Sequence, residues 1–191
     1  TPWNFPVAIP AWKMAPALVS GNSVIIKPAS QAPGMTLELA RALSEAGLPK
    51  GVLNVIVGEG RAVGGELAAH PAVVALSFTG SHSVGQQIYQ QLASRMARAQ
   101  MEMGGKNPTI VLADADLDLA ASLVARAGFG LTGQACTATS RAIVEKSVLA
   151  PFLEKLAAKA RSLKVGNGLK PGVEMGPAVS QPQLEGNLRY V

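Results

Sequence analysis

Cys136 is the one cysteine in a chain of 191 residues, and it stands in the run Gly133-Gln134-Ala135-Cys136-Thr137. A lone thiol makes no internal disulfide and fills no C-x-x-C metal or redox spacing. It is then either a small buried apolar residue or a thiolate nucleophile. A thiolate that attacks a carbonyl needs a base and donors for the oxyanion it creates. Glu102 lies between Met101 and Met103 and before Gly104-Gly105, an apolar setting that suits a general base. Asn4, in Pro2-Trp3-Asn4-Phe5-Pro6, carries an amide that can donate to an oxyanion or simply close a turn. Lys27-Pro28 follows the apolar run Val24-Ile25-Ile26 and is either a ligand cation or a solvated strand end.

Phosphate chemistry is also written in the chain. Gly80-Ser81 follows an apolar run and opens a helical pattern, so backbone N–H groups and the helix dipole can hold an anion there. Gly58-x-Gly60 followed by Gly64 departs in its third spacing from the usual dinucleotide fingerprint. Metal is not expected. His70 precedes Pro71 and His82 sits in the phosphate turn, neither with a second ligand at helix or loop spacing.

These residues must be positioned by alternating strands and helices. Strands are expected near residues 3–5, 24–26, 52–57, 73–78 and 99–103. Helices fall between them over 36–46, through 65–68, and along Val84, Ile88, Leu92 and Met96, spaced by four. Such βαβ alternation predicts an α/β chain with a doubly wound parallel sheet, in which ligands bind at the carboxyl ends of the strands. After Asn107-Pro108 a second pattern begins. It has a strand over 109–112 and a helix capped by Asp114 or Asp116, running through Leu117, Ala120, Leu123 and Ala127. The glycine-rich stretch 128–133, a strand over 142–144, and an amphipathic helix from about Pro151 follow. A domain boundary is placed near Lys106, and Val191 is read as lying inside a further helix.

Composition narrows the function classes. The chain is 48% hydrophobic and 15% charged, as expected of a packed body rather than a disordered one. Lys13, Ser20, Asn22 and Lys27 interrupt the richest apolar stretch, so no membrane span is expected. The net charge of +5 comes with only 4% aromatic residues and no nucleic-acid module, and nucleic acid is not an expected partner. Lys155, Lys159 and Arg161 in the most basic segment fall on the solvated face of the pattern formed by Phe152, Leu153, Leu156, Ala160 and Leu163. The unpaired thiol suits a reducing cytoplasm. The chain opens on Thr1-Pro2 and reads as a piece of something longer.

Taken in order, Pro2-Trp3-Asn4-Phe5-Pro6, Lys27-Pro28-Ala29, Phe78-Thr79-Gly80-Ser81, Glu102-Met103-Gly104-Gly105-Lys106 and Gly133-Gln134-Ala135-Cys136 resemble the NAD(P)-dependent aldehyde dehydrogenase superfamily. The resemblance runs along the whole chain. It implies a Rossmann-like coenzyme domain over 1–106 and the incomplete start of an α/β catalytic domain over 107–191. It further implies Cys136 as nucleophile, the Asn4 amide and the Cys136 N–H as oxyanion donors, and Glu102 as the base for hydrolysis of a thioester. The cofactor is then NADP or NAD, touched by Trp3, Lys27, Ser30, Gly58, Gly80, Ser81, Val84 and Gly104.

Three residues after Lys27, NAD-preferring members often carry a glutamate, and this chain has Ser30. NADP is therefore expected to be accepted at least as well as NAD. The run from Gln134 to Arg141, with Leu188-Arg189-Tyr190, looks similar to the α-ketoglutarate semialdehyde (2,5-dioxopentanoate) dehydrogenase branch, which implies a small aldehyde bearing a carboxylate. The parent protein is expected to be a homo-oligomer. The competing reading is a nucleotide-binding or structural piece: these 191 residues lack the later segment of such enzymes and are expected to be inactive or nearly so alone.

Overall fold

A computed structural model describes residues 1–190, which form two compact units, Thr1–Met103 and Gly104–Val191. The first unit runs α1 (Ala8–Val19), β1 (Val24–Ile26), α2 (Pro33–Glu45), β2 (Leu53–Val55), α3 (Gly65–Ala69), β3 (Ala75–Gly80), α4 (His82–Ala93) and β4 (Arg98–Met103), with a π-helical turn, Gly60–Gly64, leading into α3. Its strands pair in parallel, β1 with β2 and β3 with β4. Each pair is joined through a helix, α2 or α4, as parallel neighbours require. The architecture is Rossmann-like α/β, with its strands hydrogen-bonded as two-stranded parallel pairs.

One expected strand is absent: residues 3–5 form bends that lead into α1. Prolines explain why this helix is unobvious in the sequence. Pro10 lies in the first turn, where its missing N–H would have had no intrahelical partner. Pro16 lies inside the helix and gives up one bond there. The helix is held instead by burial of Ile9, Pro10 and Met14. On α4 only Leu92 of the expected stripe is fully buried; Val84 is exposed, and Met96 stands past the helix end with φ of 58°.

The second unit runs β5 (Asn107–Val111), α5 (Leu117–Phe129), β6 (Thr139–Val144), α6 (Leu149–Ser162) and α7 (Gln181–Leu188), with β5 and β6 again parallel. Val111, Ala121, Val124 and Phe152 are its core. Of the expected α5 positions Leu117 and Ala120 pack against this core, while Leu123 is exposed and Ala121 and Val124 are buried in its stead. Between the two candidate caps the fold uses Asp116, whose carboxylate accepts from the N–H groups of Asp118 (3.0 Å) and Leu119 (3.1 Å). Lys155 is not wholly solvated: it reaches from α6 to Asp118 on α5 at 2.8 Å. The last helix ends at Leu188, and Val191 lies outside the described residues.

Candidate active site

The thiol sits on the connection from α5 to β6, in the second unit. Its backbone is bent by three successive left-handed residues, Leu131 (φ 52°), Thr132 (φ 60°) and Gly133 (φ 66°). Glycine suits the third position twice over, because an added Cβ there would stand 3.1 Å from the Gly128 carbonyl oxygen. For Leu131 and the β-branched Thr132 this conformation costs roughly 1–2 kcal/mol each, so the loop must be held from outside.

It is held on both sides. Thr132 Oγ1 donates to the Gly176 carbonyl at 3.0 Å. Gln134 Oε1 accepts from Val179 N–H at 2.9 Å, while its Nε2 donates to Leu131 O at 3.2 Å and Pro177 O at 3.4 Å. From the other side Asn107, at the start of β5, donates through Nδ2 to the carbonyls of Cys136 (2.7 Å) and Ala138 (3.3 Å). The Cys136 side chain itself is exposed in this chain. Asn107 and Thr132 were not among the expected site residues. An asparagine before a proline at a strand start was the only sequence signal for the first, and there was none for the second.

Glu102 and Asn4 belong to the first unit. Glu102 is on β4, opposite Thr79 of β3, and its Oε1 accepts from Gln100 Nε2 at 2.8 Å. The expected apolar surroundings are not there: Glu102 is exposed. Side chains alternate along a strand, so Met101 and Met103 turn to the opposite face from Glu102. Asn4 does not end a strand either; it lies partly buried in the bend before α1, in a segment tied down by Thr36 Oγ1 donating to the Pro6 carbonyl at 3.3 Å.

Lys27, Ser30, Gly58, Gly80, Ser81 and Gly104 close or follow strands β1 to β4, whereas Trp3 lies in the bend before α1 and Val84 in α4. Lys27 directly follows β1. Burial pushes its ammonium below the ordinary lysine range, against the opposing pull of Glu59. Ser30 is exposed and donates to the Gly58 carbonyl at 3.1 Å, which brings the ends of β1 and β2 together. A Cβ at Gly58 would lie 2.6 Å from Val63 Cγ2, so any larger residue would force Val63 to move. Gly80 closes β3 under the ring of Phe78, and Gly85 packs where a Cβ would be 2.7 Å from Met103 Sδ. A Cβ at Gly104, by contrast, would meet nothing within 4 Å. Trp3 is half-buried and Val84 exposed.

Ser81 is the N-cap of α4, yet its side chain caps no N–H of that helix among the described residues, and the first turn carries no acid. Uncapped N–H groups at a helix start and neutral hydroxyls at Ser81 and Ser83 (3.5 Å apart) are donors a dinucleotide pyrophosphate can use; the residues fit that group. Among the described residues no cluster of three or more His, Cys, Asp or Glu side chains could hold a metal. No helix among them is long and apolar enough to cross a membrane.

Comparison with known proteins gives a consistent result. The model of the aldehyde dehydrogenase family matches residues 1–191. The chain is 53% identical over 191 residues to the α-ketoglutarate semialdehyde dehydrogenase of Haloferax volcanii, covering all of this chain and 39% of that protein. It is 50% identical to the α-ketoglutaric semialdehyde dehydrogenase of Bacillus subtilis, with the same coverage. Among solved structures, PnpE from Pseudomonas sp. WBC-3 superposes with a TM-score of 0.96 at 42% identity, over 100% of this chain and 39% of that one. A 3,6-anhydro-L-galactose dehydrogenase in complex with NAP does so with a TM-score of 0.93 at 43% identity, over 96% and 38%. The chain thus spans about two fifths of the length of these relatives. With a parallel α/β architecture, an open helix start after β3 and a thiol on a clamped loop, it belongs to the aldehyde dehydrogenase family.

Proposed function

We propose that the intact protein oxidises an aldehyde to the carboxylic acid at Cys136, with NADP or NAD as cofactor. The observation that carries this reading is the exposed Cys136 thiol on a loop whose carbonyl backbone is fixed by Asn107. The Cys136 thiolate forms a bond to the aldehyde carbon, and the carbonyl π pair moves to oxygen. That oxyanion takes hydrogen bonds from the Asn4 side-chain amide and the Cys136 N–H, each worth roughly 3 kcal/mol of barrier. When bound, the dinucleotide supplies the two-electron acceptor that turns this adduct into a thioester. Glu102 then takes a proton from water as the water oxygen attacks the thioester carbon. The C–S bond breaks, and the acid leaves with the Cys136 thiolate restored.

Residues 1–106 serve as the coenzyme part and 107–191 as the beginning of the catalytic part. Ser81 and the first turn of α4 would hold the pyrophosphate, with Gly80 and Gly104 allowing close approach and Val84 near the adenine. Lys27 would reach the adenosine ribose, beside Ser30, Gly58 and Trp3. Ser30 does not repel a 2′-phosphate and Lys27 attracts one, so NADP is used at least as well as NAD; relatives in complex with each are known. The names of the curated relatives favour α-ketoglutarate semialdehyde as substrate. The intact protein acts in the cytoplasm as a homo-oligomer.

The test is aldehyde-dependent NADPH formation by the intact protein, measured over a panel of aldehydes with and without a distal carboxylate. Activity on the carboxylate-bearing members, lost in Cys136→Ala, is the expected result; full activity in that variant would sink the mechanism. A strong preference for NAD in kcat/KM would overturn the cofactor assignment. A second reading applies to the 191 residues alone: with two fifths of the relatives' length, they bind nucleotide and turn over no aldehyde. NADPH formation by the isolated chain, abolished by Cys136→Ala, would refute it.

A further inference from the structure

Three polar side chains converge on Gln100, and together they decide which way its amide faces. Ser77 on β3 lies directly opposite Gln100 on β4, and Lys13 reaches both from α1. Lys13 Nζ donates to Ser77 Oγ at 2.6 Å and to Gln100 Oε1 at 3.3 Å. The Ser77 hydroxyl donates to the same Oε1. An ammonium has donors only, so Oε1 of Gln100 must be the atom turned toward Lys13 and Ser77. Its Nε2 is then turned the other way, along the β4 face that Gln100 shares with Glu102 at i+2. There it donates to Glu102 Oε1 at 2.8 Å. Every hydrogen bond in the row thus runs in one direction, from Lys13 and Ser77 through Gln100 to the carboxylate. Burial pushes the Lys13 ammonium below its ordinary range while the charge of Glu102 pulls it back, so this end of the row responds to the carboxylate at the other.

We propose that Gln100 is a positioning residue for Glu102. Its amide, oriented by Lys13 and Ser77, holds Oε1 and leaves Oε2 as the oxygen that takes the proton of the attacking water. The proposal rests on the reading of Glu102 as the base of thioester hydrolysis, and it concerns that step alone. Acyl transfer to Cys136 does not use Glu102, so it does not depend on Gln100.

The intact protein with NADP and a carboxylate-bearing aldehyde tests this in single turnovers, in which NADPH formation reports thioester formation and acid release reports hydrolysis. Gln100→Leu keeps the shape and removes the amide. The expected result is NADPH formation at the wild-type rate, with hydrolysis slowed about tenfold, inside the roughly 10²-fold that an ångström of misplacement costs. Ser77→Ala frees one side of the amide and is expected to slow hydrolysis about twofold to threefold, by the loss of one of its two orienting donors. Alkylation of Cys136 by iodoacetamide is expected to stay unchanged in both. Equal slowing of NADPH formation, hydrolysis and alkylation would mean a merely structural role and overturn the proposal, as would wild-type hydrolysis in Gln100→Leu. If that variant does not fold, unchanged hydrolysis in Ser77→Ala overturns it. Glu102→Gln separates the two ideas: if it hydrolyses the thioester at the wild-type rate, the general-base reading falls. If it stalls at the thioester while Gln100→Leu does not, only the positioning role falls.

Discussion

Two helices of similar length begin after a parallel strand in this chain, and they begin in opposite ways. At α5 the N-cap Asp116 spends its carboxylate on two backbone N–H groups, and Asp118 adds a second negative charge in the first turn. At α4 the N-cap Ser81 satisfies none of them, and the turn holds Ser83 and His82 in place of acids. Both starts carry the same unpaired donors and the same positive dipole end. One has been closed with the helix's own side chains and serves stability. The other carries neither a side-chain cap nor an acid, and it is the start proposed above to hold the pyrophosphate.

Closing the open start should have the largest effect. Ser81→Asp gives α4 a charged N-cap that its dipole favours and places a negative charge where the pyrophosphate would sit. Dinucleotide affinity of the intact protein is expected to fall on the order of 30-fold, equivalent to the roughly 2 kcal/mol a charge commands at a favourable helix terminus. Thermal stability without cofactor is expected to hold or rise. Opposite signs in calorimetric binding and Tm are the signature; a parallel fall in both would mean that Ser81 is structural. A smaller change is expected at the ribose end. Ser30→Glu adds a carboxylate beside Lys27 and should lower kcat/KM with NADP about tenfold relative to NAD through charge repulsion. An unchanged ratio would place the 2′-phosphate elsewhere.

Opening the closed start is the converse experiment. Asp116→Ala should cost about 1 kcal/mol, read from denaturant midpoints at constant m, with dinucleotide affinity unchanged. A weakened affinity would mean that the second unit's helix start also takes part in binding.

The contrast between these starts was legible in part. Asp114 or Asp116 could be marked as a cap and Gly80-Ser81 as an anion turn because both depend on neighbours within four residues; the choice of Asp116 needed the structure. The inward faces of α4 and α5 were harder, since Leu123 and Val84 satisfy helical spacing as well as Val124 does and only packing against Phe152 or Leu92's neighbours chooses between them. Helix α1 was hidden by Pro10 and Pro16, whose local penalty is outweighed by burial of Met14. Glu102 looked apolar in sequence because its flanking methionines are adjacent in the chain, whereas a strand sends them to the other face. The link from Lys13 through Ser77 and Gln100 to Glu102 was not legible, because it joins a helix to two strands far apart in sequence. The clamp on the thiol loop was least legible of all, because Thr132 and Gly176 are 44 positions apart and joined by a hydrogen bond to a main-chain carbonyl that any residue could have supplied.

The smallest test lies in the charge that α5 has and α4 lacks. Asp118 faces Lys155 of α6 at 2.8 Å, and this hydrogen bond holds its carboxyl below the ordinary value of 3.8, with the lysine's charge acting in the same sense. The same carboxylate raises Lys155 above 10.5. A carboxyl with a depressed folded-state pKa contributes stability above its unfolded pKa and loses it as pH falls through the folded one. A lysine with a raised pKa contributes below its unfolded value and loses it as pH climbs past the folded one. The pair therefore stabilises α5 against α6 across the whole range between about pH 4 and pH 10, by the small amount expected of a solvent-exposed ion pair. Asp118→Asn is expected to lower the Tm of the intact protein slightly and evenly through that range, with the difference from wild type vanishing as pH falls through the lowered folded-state pKa of Asp118 and shrinking in high salt. A difference that persisted in acid would assign the effect of Asp118 to packing rather than to its charge, and would leave the closing of α5 to Asp116 alone.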